Sequence, residues 1–431
     1  MKNKNLLQKV VFAGIIFAIL LSAAALMFGQ TPLPSPRQEK LLNGLKVVMW
    51  NDARADKVTV KIRVHAGSAF DPQGREGTMQ LLADDLFPND ASRDFFKEDL
   101  GGSLETVATY DYLQISASSK PESVLLMLET LAAAISNPTI DKETTAKVRT
   151  ALLAKLKVLE ADPSYVADQA VAKRLFGTFP YGRPERGSTA TVQNLVFADL
   201  IDAKQRFLTA DNATMTISGN YDRDLTYRAI RRYFGGWLKA DKKVPATFRQ
   251  PDDPDITLFN ISTANAAKSE IRFATRGFAR SDKDYPASTV LTSILRERFP
   301  KLMTGSLMEQ PLVSNKAYAL PGYFSFSYLS KEGVIPLAQS HQAPPDAPNY
   351  VRYNPLLVLF WNITDEEFSK AKSEMMDQSS KMPTDRLWLD ADTYRIDIAG
   401  VTSAIQNVTI ADVRRSADRM AKNPVVTVAV K

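Results

Sequence analysis

Two periods of apolar residues run through this chain. In KVTVKIRVHAG, Val58, Val60, Ile62 and Val64 alternate with polar neighbours, the pattern of a strand with one buried face. Ile271 and Phe273 alternate in the same way within SEIRFATRG. Asn43-Gly44, set between the apolar runs of LLNGLKVVMW, predicts a short hairpin. After the strand at 57–66 the spacing predicts helices near 77–86 and 91–100, the second ended by Gly101-Gly102. Two strands follow, LETVATY and YLQISAS, and then helical stretches at 121–136, 141–160 and 164–176. Strands and helices segregate instead of alternating strictly, which predicts an α+β fold with helices packed on one face of a mixed sheet.

The end of this first set recurs later. FADLIDAKQRFLTADNATMTISG, from Phe197, aligns with IADVRRSADRMAKNPVVTVAV, from Ile410. Ala198/Ala411, Asp199/Asp412 and Arg206/Arg419 share an offset of 213, and Asn212/Asn423 and Thr216/Thr427 an offset of 211. Each reads as a capped helix followed by an alternating strand. The two early strands, at Val58 and Ile271, have a similar separation, so we read two homologous halves, residues 38–245 and 246–431. The charged, proline-containing KADKKVPATFRQPDDPD forms the link between them.

The N-terminus departs from this pattern. Val10–Phe28 is a run of 19 apolar or small residues behind Lys2, Lys4 and Lys9, which marks residues 1–30 as an export segment, either signal peptide or membrane anchor. Ser22-Ala23-Ala24-Ala25 offers small residues to a signal peptidase and favours cleavage, while the length of the run suffices to span a bilayer. Residues 31–37 are a proline-rich spacer. Export leads to the periplasm or the outer face of the cytoplasmic membrane, with the membrane touched only through residues 10–28 if they are retained. The chain has no cysteine, so neither disulfides nor thiolate chemistry enter. The net charge of +6 falls to +3 without the three leading lysines, and that balance argues against nucleic acid or another acidic partner.

Several motifs, in order, carry a resemblance. Gly74-Arg75-Glu76-Gly77 leads into QLLADDLF; Phe179-Pro180-Tyr181-Gly182-Arg183-Pro184 is followed by Gly187; Asn212–Gly219 reads NATMTISG; and Tyr285-Pro286 precedes VLTSIL. Together these resemble the insulinase, pitrilysin and mitochondrial processing peptidase family of zinc metallopeptidases over nearly all of the chain after residue 38. The resemblance implies a duplicated α+β fold and a helix bearing HxxEH. In such a motif two imidazoles one turn apart hold zinc and the glutamate activates water.

QLLADDLF stands where the family has a sequence like HLLEHMLF, so Gln80 replaces the first histidine, Ala83 the glutamate and Asp84 the second histidine. The family's third ligand, a glutamate eight residues before a proline, matches Lys155 before Pro163. Gln is a poor zinc ligand, Ala83 has no proton-accepting group, and a lysine ammonium repels a cation. Zinc is the cofactor the resemblance implies, but its ligands are absent, so no cofactor, metal or catalytic residue is assigned. The family's substrate-gripping Arg and Tyr match Met308 and Ser314 in LMEQPLVS, with Arg296 and Arg298 close by. The remaining histidines, His65 and His341, lie outside these motifs, and His65 reads as structural. Glu76, Asp84, Asp85 and Asp90 match no Ca²⁺ or Mg²⁺ loop and read as helix-face carboxylates. No nucleophile motif or phosphate loop appears.

These residues imply an exported, non-catalytic family member that serves as subunit or partner of an active zinc-bearing homologue. Extended peptide would add to the sheet edge at Ser103, Leu104, Glu105, Thr106, Val107, Ala108 and Thr109, because strand addition needs only backbone groups. Two other classes stay open: a zinc metalloendopeptidase with an unrecognised site, and an envelope scaffold without a peptide partner.

Overall fold

The computed structural model describes residues 35–240, 248–263, 268–302, 308–331 and 355–431. The export segment at residues 1–30, most of the spacer, part of the linker and His341 lie outside the described residues.

The first sheet contains β1 (Arg37–Lys40), β2 (Lys46–Asn51), β3 (Val58–Val64), β4 (Ser103–Ala108), β5 (Leu113–Ser119) and β6 (Ala213–Gly219), in the order β1-β2-β6-β3-β5-β4. The predicted hairpin joins β1 to β2, with Gly44 at φ 95°, a left-handed turn position natural to glycine. Val58, Val60, Ile62 and Val64 enter one core, as their alternation predicts. Covering that face are α1 (Thr78–Asp85), α2 (Val124–Ser136) and α3 (Lys142–Glu160). Next in the chain is α4 (Pro163–Phe176), and then α5 (Phe197–Phe207) and α6 (Arg223–Phe234), which return to the first core. Asp141 caps α3 through Thr144 N, and Asp162 caps α4 through Ser164 N with Pro163 in the first turn.

The second sheet repeats the arrangement. Its strands are β7 (Phe259–Ile261), β8 (Ser269–Arg276), β9 (Glu309–Lys316), β10 (Tyr323–Ser330) and β11 (Val425–Val430), ordered β7-β11-β8-β10-β9. β6 lies between a parallel β2 and an antiparallel β3; β11 lies between a parallel β7 and an antiparallel β8. The repeated helix-strand segments therefore occupy the same place in both sheets. The helices here are α7 (Tyr285–Arg298), α8 (Asp365–Ser380), α9 (Thr384–Tyr394) and α10 (Ile410–Ala421). Thr364 with Glu367 and Thr409 with Asp412 form capping boxes at the starts of α8 and α10.

The sequence pattern does not show that the halves exchange helices. α4, from the first repeat, lies on the second sheet: Ala167, Val171, Leu175 and Phe176 pack with Ala274, Val426, Val428 and Tyr323. Asp168 on α4 accepts from Arg272 Nε at 2.9 Å and Lys316 Nζ at 3.1 Å. Reciprocally, α9 from the second repeat lies against the polar face of the first sheet. Lys61 pairs with Asp385 at 2.6 Å, Arg63 with Asp390 at 2.7 Å and Lys46 with Asp392 at 2.7 Å. Each sheet thus has one face filled by its own helices and a second face closed by a helix of the other repeat, through ion pairs on the first sheet and through an apolar cluster with flanking ion pairs on the second.

Candidate functional site

The start of α1 is built by residues distant in sequence. Asp71 accepts from the amides of Gly77 (2.8 Å) and Met79 (3.0 Å), satisfying two donors that a helix start leaves unpaired. Burial pushes the Asp71 carboxyl up to about 7, against the pull of those amides and of Arg183. Arg183, from the FPYGRP segment, donates to Asp71 O (2.8 Å) and Ala69 O (3.2 Å), and Thr191 Oγ1 donates to Glu76 O (2.9 Å). Gly77 (φ 100°) and Gly187 (φ 75°) meet in this contact. A Cβ on Gly187 would lie 2.3 Å from Glu76 O, so only glycine lets the two loops approach this closely. The glycines of GREG and of RPxxG are therefore two sides of one packing contact.

The four positions of the implied metal site lie on α1 and α3, which pack together. Gln80 Nε2 donates to Asp84 Oδ1 at 3.2 Å, one helical turn away, so these side chains satisfy each other. Burial raises the Asp84 pKa, while the Gln80 bond and the positive charges of Lys155, Arg93 and Arg186 oppose the rise. Ala83 is fully buried in the first core. One carboxylate, one amide and a nearby ammonium do not make a zinc donor set. Among the described residues no group of three or more His, Cys, Asp or Glu is arranged to hold a metal ion. The residues present do not fit zinc.

β4 is the outermost strand of the first sheet, with β5 as its ladder partner. Ser103 and Glu105 are exposed, while Leu104 and Ala108 face the core. The strand ends at Ala108. Thr109 N donates to Tyr112 O (2.8 Å) and Thr109 O accepts from Ser68 N (2.8 Å), so that residue's backbone belongs to the turn. In the second sheet β9 occupies the equivalent edge and carries Ser314, with half-buried Met308 just before it. Arg296 Nε donates to Val313 O (3.1 Å), while Arg298 is bound to Glu367 and to the carbonyls of Leu359 and Trp361, which holds its guanidinium in place.

His65 lies between Thr214 Oγ1 (2.9 Å) and Thr393 Oγ1 (3.1 Å), where the first sheet meets α9. It borders a cavity of about 700 Å³ that Asp111, Tyr181, Phe207, Asp392 and Tyr394 also line, and none of Gln80, Ala83, Asp84 or Lys155 does. At its wall, Tyr181 Oη donates to Asp111 Oδ1 (3.0 Å) and accepts from Leu320 N (3.0 Å), tying FPYGRP to the second half.

Residues 46–188 match the family described as insulinase (peptidase family M16), and residues 194–333 match the peptidase M16 inactive domain. The chain belongs to the M16 peptidase family. It is similar to an uncharacterized zinc protease of Rickettsia felis, 21% identical over 48% of this chain and 52% of that protein. The chain thus spans about half the length of this curated relative. Among solved structures it is similar in fold to a protease from Helicobacter pylori (TM-score 0.79, 17% identity, 93% of this chain and 100% of that one). It is also similar in fold to the periplasmic protease PqqL from Escherichia coli (TM-score 0.70, 15% identity, 92% of this chain and 48% of that one).

In this M16 chain the GREG and FPYGRP segments meet at the start of α1 through Arg183, Gly187 and Thr191. Sequence reasoning missed the Arg63–Asp390 contact and the partners of Asp111. Charged residues at alternate strand positions were the available signal: Lys61 and Arg63 in β3, and Glu270 and Arg272 in β8.

Proposed function

We propose that this M16 chain is a non-catalytic partner of an active, zinc-bearing homologue, exported to the periplasm or to the outer face of the cytoplasmic membrane. The replacement of the ligand and base positions by Gln80, Ala83, Asp84 and Lys155 on the packed α1–α3 pair is the observation that carries the reading. Water activation needs a Lewis acid and a base beside it; these four residues do not make a donor set for the metal, and Ala83 carries no base where the family has its glutamate. Peptide binding has no such requirement: an outer strand offers unpaired backbone groups, and β4 from Ser103 to Ala108 supplies a run of them. The same reading takes residues 1–30 as the export segment and residues 38–245 and 246–431 as the two peptidase-like halves.

The test is a peptidase assay on three samples: this chain, an M16 homologue from the same organism with an intact HxxEH, and the two mixed. The proposal expects no hydrolysis by this chain and a higher rate or altered peptide preference in the mixture. Chelator-sensitive cleavage by the pure chain, with zinc found by elemental analysis, would show a peptidase in its own right. Unchanged activity in the mixture and no peptide binding by the chain would leave an envelope scaffold.

A further inference from the structure

The overall charge balance conceals a local excess. On α6, Leu225, Arg228 and Arg231 follow one another three residues apart, Arg232 lies four after Arg228, and all four are exposed, while Thr226, Ala229, Ile230 and Phe234 are buried. The helix thus turns one basic face to solvent. No Asp or Glu forms an ion pair with Arg228, Arg231 or Arg232 among the described residues, and their side chains line a shallow recess of about 280 Å³. Asp222 and Asp224, the acids at the helix start, are committed to the Leu225 amide (2.7 Å) and to Arg37 (3.1 Å).

Large apolar side chains on and next to α6 stay exposed among the described residues. Leu225 is 44% exposed and Leu238, four residues past the end of α6, is 75% exposed. Leu42 is fully exposed at the tip of the β1–β2 hairpin. The next residue, Asn43, holds that tip against the end of α6 by donating to Phe234 O (2.8 Å) and Trp237 O (2.9 Å). Lys40 and Lys239 are exposed on either side. Arginines flanked by protruding leucines suit a surface that is anionic outside and apolar just beneath. An anionic bilayer has this profile, whereas nucleic acid gives the leucines nothing to enter.

We propose that the α6 face docks on an anionic phospholipid bilayer, with Arg228, Arg231 and Arg232 at the headgroup phosphates and Leu42 and Leu238 dipping below them. The apolar run ending at Phe28 precedes Arg37 by eight intervening residues, a spacer reaching at most about 28 Å when extended. If the run is retained as an anchor, the bilayer is within reach of the α6 face. The surface charge does not depend on that anchor, nor on the peptidase-partner reading.

Because the chain has no cysteine, Leu238→Cys gives a single labelling site. The full chain, carrying an environment-sensitive fluorophore there, is mixed with vesicles containing a lipid-borne quencher. One set is phosphatidylcholine with phosphatidylglycerol, and the other is phosphatidylcholine alone. Quenching is expected only with the anionic lipid and is reversed by high salt. Replacing Arg228, Arg231 and Arg232 together by glutamine should weaken the salt-sensitive docking roughly a hundredfold, at the usual contribution of a basic residue beside an anionic membrane. The corresponding triple lysine variant should retain docking, which separates lost charge from a misfolded helix. Equal quenching on both vesicle types, or quenching unchanged by the glutamines, would overturn the proposal. Release by orthophosphate at matched ionic strength would assign the recess to a free anion, and release by duplex DNA would assign the face to nucleic acid. A label at exposed Val158 on α3 should stay unquenched; quenching there too would show non-specific adsorption and also overturn the proposal.

Discussion

Substituting Asp390 by alanine tests the charged seam between the repeats. Its carboxylate binds Arg63 Nη1 at 2.7 Å and Arg280 Nη2 at 2.9 Å, and the side-chain exposures of Arg63, Arg280 and Asp390 are 3%, 21% and 9%. Arg63 keeps a bond to Gln114 Oε1 (2.8 Å) and stacking on Tyr112, neither of which neutralises its charge. Removing one member of a buried pair leaves the other charge desolvated and costs about 3–5 kcal/mol. A folded unit of about 400 residues unfolds with an entropy near 0.8 kcal/mol/K, so Asp390→Ala should lower Tm by about 5 °C. Asp202 and Arg206 are the comparison: an i,i+4 pair at 3.2 Å with side chains 60% and 42% exposed. Losing that pair costs about 0.5 kcal/mol or less, a shift below about 1 °C. Differential scanning calorimetry of Asp390→Ala and Asp202→Ala at low and high salt distinguishes the two. Equal small shifts would refute the claim that the seam is a desolvated ion network, as would loss of the Asp390 effect in high salt, because salt screens exposed pairs far more than buried ones.

Asp85 is 2% exposed, neither of its oxygens has a partner among the described residues, and burial, with Asp141 and Asp84 nearby, pushes its carboxyl up to about 7. The folded state therefore holds a proton that the unfolded chain releases near pH 4, and stability falls as pH rises from about 4 to about 7. Asp85→Met should then be more stable than the parent by about 1–3 kcal/mol at pH 8, with the gap closing towards pH 4 in urea denaturation; a gap that widens on acidification would contradict this. Gly187→Ala should cost more than about 2 kcal/mol by the same measurement, because its Cβ meets Glu76 O at 2.3 Å. Gly74→Ala, left-handed but with nothing within 4 Å, should cost only about 1 kcal/mol. The triple variant Gln80→His, Asp84→His, Lys155→Glu should bind zinc stoichiometrically by elemental analysis while the parent binds none. Failure of the variant would show that α1 and α3 do not hold these positions at ligand distance.

The legible part of the fold lies where one local rule decides. Alternation placed Val58–Val64 as a strand with an apolar face, and Asn43-Gly44 placed the hairpin. The matched segments at Phe197 and Ile410 placed equivalent helices and strands. The exchanged helices were illegible for a physical reason. A period of two says that Lys61 and Arg63 share a face, but not that Asp385 and Asp390, more than three hundred residues later, cover it. The basic face of α6 was lost for another reason, because net charge averages over the chain whereas a surface is read helix by helix. At the candidate site the sequence placed Gln80, Ala83 and Asp84 on one helix and Lys155 on another, but the contact between Gly77 and Gly187 emerged only in three dimensions.

On the function proposed above, that contact explains how the helix keeps its place without metal chemistry. The residues that start α1 and dock it are Asp71, Gly77, Arg183, Gly187 and Thr191, whereas those at the metal positions are Gln80, Ala83, Asp84 and Lys155. The two sets do not overlap, so changing the second leaves the first intact. Three of the second set are also accommodated without a metal. Gln80 and Asp84 pair along the helix, and Ala83 fills the core where the family's glutamate would carry a buried charge. Converged ligands and a desolvated base oppose folding unless a metal compensates them, so replacing them removes a cost to the apo fold. On the proposed reading, an M16 chain that does not cleave can therefore lack its ligands while it keeps the loop, the helix and the sheet edge, and these are the parts a peptide-holding partner requires.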